Sequence, residues 1–155
     1  MINDVRQSFR LDDEVIFAYS LLSINHMNRA VAQLAKGGGN VEDIFPQIEL
    51  DQKSQGVNIS ETGMAWVAAK QFYPESHLAI TLQFPTSEAQ IRLIARVVAC
   101  DEDPEREGLN IIRVSFETMA EFDKMLLAKH MDIVLKEKLK KRQAYNRTRH
   151  SILRS

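Results

Sequence analysis

The chain has 155 residues, of which 45% are hydrophobic and 26% are charged, as expected for one soluble globular domain. No apolar run approaches the roughly 20 residues that cross a bilayer, so we do not expect a membrane-spanning protein. The N-terminal residues do not form a basic segment followed by an apolar run, so we do not expect a secreted protein. Cys100 is the single cysteine, which excludes an internal disulfide and fits a cytoplasmic protein.

Charge is distributed unevenly along the chain. Residues 136–155 include eight Lys or Arg residues and one acid, a net charge of +7, whereas the residues before them total −8. The basic end has no recognised nucleic-acid motif. We therefore interpret it as a solvated extension or a docking arm for a partner protein, and we do not predict nucleic-acid binding.

Residues 1–10 show no sustained hydrophobic period and are predicted to form an extended arm before the first strand. Arg6 and Arg10 lie four residues apart in this arm. Taken alone, such a pair is most simply two solvated surface cations. The first strand is predicted at residues 15–19, which are apolar and largely β-branched or aromatic. The acidic residues 12–14 alternate between the two faces of an extended chain, so they make a poor joint site.

An amphipathic helix is predicted over residues 21–36, because apolar side chains recur there at intervals of three and four. It belongs to an insertion over residues 20–54, in which Pro46 prevents one continuous helix. This repeat predicts either a helix–helix seam between subunits or a stripe that packs on the chain's own core. The repeat consists of Ile24, Met27 or Asn28, Val31, and Leu34 or Ala35.

The stretch from Asn58 to Gly63 is predicted to be a turn between two strands, residues 55–58 and 64–69. On an extended backbone Asn58 and Ser60 both point to one face. Gly63 permits a positive φ and a close approach of the backbone to a partner. By itself, Asn-x-Ser-x-x-Gly is also an ordinary hairpin connection.

Three further strands with alternating apolar residues are predicted, followed by a helical period. The strands lie at residues 78–84, 91–99 and 109–116, and the helix at residues 117–142. We expect a mainly β fold, namely a small antiparallel barrel with a helical insertion and a long C-terminal helix. Residues 1–142 are predicted to form this single domain, with residues 143–155 as a basic tail.

No catalytic or metal-binding constellation is evident in the sequence. The four histidines are scattered without metal-ligand spacing. Cys100 is interpreted as a small buried hydrophobe and Trp66 as a core side chain. We therefore predict neither an enzyme nor a cofactor.

Two motifs together resemble the PilZ domain, a receptor for the bacterial messenger cyclic di-GMP. One is Arg6-x-x-x-Arg10 ahead of the first strand, and the other is Asn58-x-Ser60-x-x-Gly63 at a strand turn. The helical insertion resembles that of an oligomer-forming branch of the family. The resemblance implies a barrel capped by a helix, in which Arg6, Arg10, Asn58, Ser60 and Gly63 bind cyclic di-GMP.

The chemistry of these residues suits that ligand. A guanidinium can form bidentate hydrogen bonds with a phosphate or with O6 and N7 of guanine, and it can stack on a base. Asn58 can accept a hydrogen bond from a guanine N–H. In the family, the residue before the arginine pair influences how many ligands bind, and the apolar Val5 at that position favours one ligand per site.

The resemblance leaves two functions open. One is a cyclic di-GMP receptor or adaptor that changes its conformation or its partner interactions on binding. The other is an oligomeric PilZ adaptor that acts without ligand. In either case the downstream protein partner is not identified by the sequence.

Overall fold

The computed structural model describes residues 11–35 and 44–154. Val5, Arg6 and Arg10 lie outside the described residues. The elements in these ranges, in chain order, are β1 (Leu11–Leu22), α1 (Ile24–Ala35), β2 (Gln55–Ile59), β3 (Gly63–Ala68), β4 (His77–Gln83), β5 (Gln90–Glu102), β6 (Asn110–Met119) and α2 (Glu121–Arg154).

The strands form a closed antiparallel barrel in the order β1-β2-β3-β6-β5-β4. β1 closes the barrel by pairing with two strands in succession. Its residues 11–15 pair with β2, and its residues 16–22 pair with β4. The predicted fold class, a small antiparallel barrel with a helical insertion and a long C-terminal helix, is confirmed. β1 and β5 are longer than predicted, because barrel closure pairs residues beyond the apolar runs.

Alternate residues of every strand fill the barrel interior. The cluster includes Val15, Phe17, Val57, Ile59, Met64, Trp66, Leu78, Ile80, Leu82, Leu93, Ile112 and Val114. Trp66 is 3% exposed and its ring contacts that of Phe17, so its prediction as a core residue is confirmed. Leu127 and Met131 of α2 join the same cluster, which attaches that helix to the barrel core.

The insertion packs on the outside of the barrel and forms a second buried cluster. Its members are Leu22, Ala30, Leu34, Ile44, Phe45, Ala79 and Ile94. Ala79 lies between the interior residues Leu78 and Ile80 on β4, so it faces outward and is covered by the insertion. Thr81, also completely buried, donates its hydroxyl to the Pro46 carbonyl at 2.6 Å. β4 is therefore buried on both faces.

The C-terminal helix is longer than predicted. Residues 117–119 belong to β6, because pairing with β5 continues to Met119, and the helix runs from Glu121 to Arg154 instead of ending at residue 142. No Gly or Pro after residue 142 interrupts it, so the predicted basic tail is helical as far as Arg154. Every residue from Lys136 to Arg147 is exposed. In the described part of the chain, no helix combines the length and apolar character that crossing a membrane requires.

Candidate functional site

The strand register brings the start of β1 next to the turn of the Asn-x-Ser-x-x-Gly motif. Leu11, the first residue of β1, pairs with Ile59, the last residue of β2. Leu11, the residue that follows Arg10 in the chain, therefore lies beside the residues that connect β2 to β3. Arg6 and Arg10 lie outside the described residues, so their binding role stays a prediction.

Asn58 faces the outside of the barrel, because its neighbours Val57 and Ile59 belong to the core. Its side chain is half-buried, and its Nδ2 donates to Asp12 Oδ1 at 3.2 Å. The register places Asn58 between Asp12 on β1 and Ala65 on β3. The Asn58 Oδ1 atom has no hydrogen bond to another described residue, so it is able to accept one from a ligand.

Ser60 is completely buried and shapes the turn. Its Oγ accepts hydrogen bonds from the backbone N–H groups of Thr62 at 3.2 Å and Gly63 at 3.1 Å. The expectation that Ser60 shares a face with Asn58 is wrong, because β2 ends at Ile59 and alternation does not continue into the turn. Hydroxyl groups commonly hold tight turns in this way. Its assignment as a ligand-binding residue stays a prediction.

Gly63 is required by the barrel itself. A Cβ on Gly63 would lie 2.5 Å from the carbonyl oxygen of Val114 on β6, which is too close for any side chain. Gly63 does not adopt the positive φ that glycine permits, since Gly108 is the glycine with positive φ among the described residues. The expected close backbone approach does occur, and the neighbour is β6. Contact of Gly63 with a ligand stays a prediction.

An open groove of about 570 Å³ lies on the outer face that Asn58 occupies. Its volume is within the range of small-molecule sites. The register aligns Asp12, Asn58, Ala65 and Arg113 in one row across β1, β2, β3 and β6. Ala65 has only a methyl group, so no large side chain fills the middle of the row.

The groove is divided by charge. Asp12 and Glu14 lie on its β1 side, and Arg106 and Arg113 lie on its β6 side. Arg113 is exposed and forms no ion pair with another described residue, while Arg106 Nε lies 3.8 Å from Asp103 Oδ2. On the β1 side the Asp12 carboxylate, paired with Asn58, can therefore accept hydrogen bonds from N–H groups, and the β6 side can bind an anion.

The sequence alone did not single out Asp12 or Arg113. Strand alternation was sufficient to place Asp12 and Glu14 on one face, but Asn58, the partner of Asp12, comes from a strand that is distant in sequence. The position of Arg113 depends on the pairing of β3 with β6, which no local pattern indicates. Among the described residues, no group of three or more His, Cys, Asp or Glu is arranged to hold a metal ion.

Helix α2 borders the same end of β1. Lys138 Nζ donates to the Asp12 carbonyl oxygen at 2.6 Å, and His130 Nε2 lies 2.8 Å from Asp13 Oδ2. Asp13 points away from the groove, because alternation places Asp12 and Glu14 outside. The two contacts connect the helix to the strand residues next to the groove.

The chain matches the profile of the PilZ domain over residues 5–131, a range that includes both motifs. Its structure is similar to that of the Bacillus subtilis inhibitor of motility, MotI/DgrA, with a TM-score of 0.57 and 19% identity, over 88% of this chain and 53% of that one. This chain thus spans about half the length of that protein. No curated protein matches the chain.

A second similar structure is that of a pathogenic protein from Xanthomonas campestris. The TM-score is 0.57 and the identity 11%, over 85% of this chain and 89% of that one. That protein is described as a tetrameric PilZ domain self-assembled via an unusual helical bundle. At these identities, both similarities show the fold alone.

Proposed function

The chain belongs to the PilZ domain family, and from that premise we propose that it is a cytoplasmic receptor for cyclic di-GMP. PilZ domains are non-catalytic, which confirms the prediction that the chain is not an enzyme. The single observation that supports ligand binding best is the pairing of Ile59 with Leu11, the residue that directly follows the arginine motif in the chain.

In the proposed complex, the arm lies over a ligand that rests on the outer face of the barrel. Arg6 and Arg10 bind its phosphates or the O6 and N7 atoms of guanine, and Asn58 Oδ1 accepts from a guanine N–H. Ser60 and Gly63 hold the turn that positions Asn58. One ligand per site is expected, because Val5 adds no third cation to the arm.

In this proposal, ligand binding changes the contacts between α2 and β1. The contacts of Lys138 with Asp12 and of His130 with Asp13 lie beside the groove, so a ligand there acts next to both. The exposed C-terminal part of α2, with its six Lys or Arg residues between 136 and 147, is the surface offered to a downstream protein partner.

Calorimetric titration with cyclic di-GMP tests the receptor proposal. Arg6→Ala and Arg10→Ala should each cost about 2–3 kcal/mol of binding free energy, the range for hydrogen bonds to charged groups. Arg147→Ala, an exposed arginine on α2, removes the same side chain away from the groove and should bind like the wild type. Unchanged affinity in both arm variants would disprove the site assignment.

One observation favours the alternative, an adaptor that acts without ligand. Ser60 and Gly63 have structural roles that need no nucleotide, so their presence alone does not require binding. A wild-type protein that produces no heat at high cyclic di-GMP concentration would support this alternative.

We also propose that the chain self-associates through α1. Its Met27, Ala30 and Leu34 face the second buried cluster, whereas Ile24 and Val31 are 91% and 41% exposed. Asn28 and Ala35 are exposed as well, so the outer stripe of the helix is Ile24, Asn28, Val31 and Ala35. Spacings of four, three and four residues are those of a helix–helix seam.

Light scattering on two glutamate variants separates the seam from the protomer core. Val31→Glu should leave a folded monomer, because this side chain lies on the outer stripe. Leu34→Glu should unfold the insertion, because Leu34 is 4% exposed and buried against the barrel. A wild type that is already monomeric would end the self-association proposal.

A further inference from the structure

Asp12 and Asn58 form a polar pair across two neighbouring strands, on the floor of the groove. The bond from Asn58 Nδ2 to Asp12 Oδ1 fixes the orientation of the amide. It leaves Asn58 Oδ1 and Asp12 Oδ2 without hydrogen bonds to other described residues. The pair therefore presents two acceptors side by side, one of them on a carboxylate.

The Watson–Crick edge of guanine presents two adjacent donors, N1–H and the N2 amino group, whereas adenine has an acceptor at N1. We propose that Asp12, together with Asn58, binds this guanine edge and is the residue that selects guanine over adenine. The inference rests on the proposed function, since it names a specificity residue within the same site. A carboxylate acceptor makes a charge-assisted bond, which is stronger than the bond that the amide makes alone.

Arg113 has the complementary role at the opposite side of the groove. Asp12 and Arg113 occupy the same row three strand spacings apart, about 14 Å measured along the curved sheet. The Arg113 guanidinium, which forms no ion pair with another described residue, binds a phosphate of the ligand there and keeps it away from the carboxylates of Asp12 and Glu14. Phosphate contacts position a nucleotide and base contacts specify it, so the two residues affect binding differently.

Glu14 provides a matched control for Asp12. It lies on the same strand and the same face, and it is also exposed, but it is opposite Gly56 instead of Asn58. If the acids on this face only repel the phosphates, then Asp12→Asn and Glu14→Gln both tighten binding. If Asp12 is a guanine acceptor, Asp12→Asn weakens binding and Glu14→Gln does not.

The experiment is calorimetric titration of the full chain with cyclic di-GMP, together with competition by cyclic di-AMP. We expect Asp12→Asn to weaken cyclic di-GMP binding on the order of tenfold and to reduce the preference for guanine over adenine by a similar factor. Arg113→Gln should weaken both nucleotides about equally. Glu14→Gln should match or exceed the wild-type affinity.

Both acid variants should retain the fold, because the side chains are exposed and Lys138 contacts the backbone carbonyl of Asp12. Circular dichroism checks this directly. Equal affinities and equal base preferences in Asp12→Asn and Glu14→Gln would overturn the assignment of Asp12 while leaving the receptor function intact. A wild type that binds no cyclic di-GMP would overturn the receptor function itself, and the Asp12 assignment with it.

Discussion

Replacement of Gly63 by alanine should destabilise the barrel whether or not ligand is present. The added Cβ would lie 2.5 Å from Val114 O, and an ordinary contact begins at 3.4 Å, so the two backbones must separate by about 0.9 Å. A neighbouring hydrogen bond, from Phe116 N–H to Thr62 O at 2.8 Å, cannot survive such a displacement. Overpacking and one or two lost bonds together cost about 2–4 kcal/mol. For a chain of this size, Tm should fall by about 4 to 16 °C.

Thermal and urea unfolding in the absence of nucleotide measure this effect, and Gly56→Ala is the control. A Cβ on Gly56 would be 3.7 Å from Glu14 Oε1, which is an ordinary contact, so Gly56→Ala should change stability by less than about 1 kcal/mol. If Gly63→Ala were as stable as Gly56→Ala, our explanation of Gly63 through β6 would be refuted. A stable Gly63→Ala protein that had lost ligand binding would instead place the glycine at the ligand.

Two further predictions concern stability. Ser60→Ala should lower the free energy of unfolding by about 1–3 kcal/mol, because the buried N–H of Gly63 and the part-buried N–H of Thr62 lose their acceptor, and an unchanged urea midpoint would contradict this. Burial raises the pKa of Asp123, and the N–H bond from Arg92 and its charge oppose the shift only in part. The folded chain therefore holds this proton more tightly than the unfolded chain, so stability falls as pH rises above the ordinary aspartate value. Asp123→Asn should flatten that slope in urea unfolding from acidic to neutral pH, and an unaltered slope would contradict the assignment.

The sequence predicted the elements of the fold more successfully than the roles of its polar residues. Alternation located the interior residues of β4 and β5, because a period of two depends only on the local backbone. The same alternation assigned Ala79 and Thr81 to the opposite face without indicating what covers it. Their burial depends on an insertion whose docking position is not encoded in either strand.

For the motif residues too, local sequence predicts some side-chain positions, whereas others depend on strands that are distant in sequence. Asn58 was expected to face a ligand, and it does face the groove. Ser60 and Gly63 were expected to do the same, but their surroundings depend on where β2 ends and on how closely β6 approaches. Spacing alone does not separate residues that contact a ligand from residues that shape a turn.

The two-sided burial of β4 has a consequence for how stability is distributed in the molecule. β4 lies between β1 and β5, with the barrel interior on one face and the insertion on the other, so its amide hydrogens should exchange last. β2 is short, and its outer face is the open groove. Local opening should therefore begin at β2 and leave β4 closed. The half of the barrel that moves most easily is the half proposed to bind the nucleotide, so binding there can reshape the protein without unfolding it.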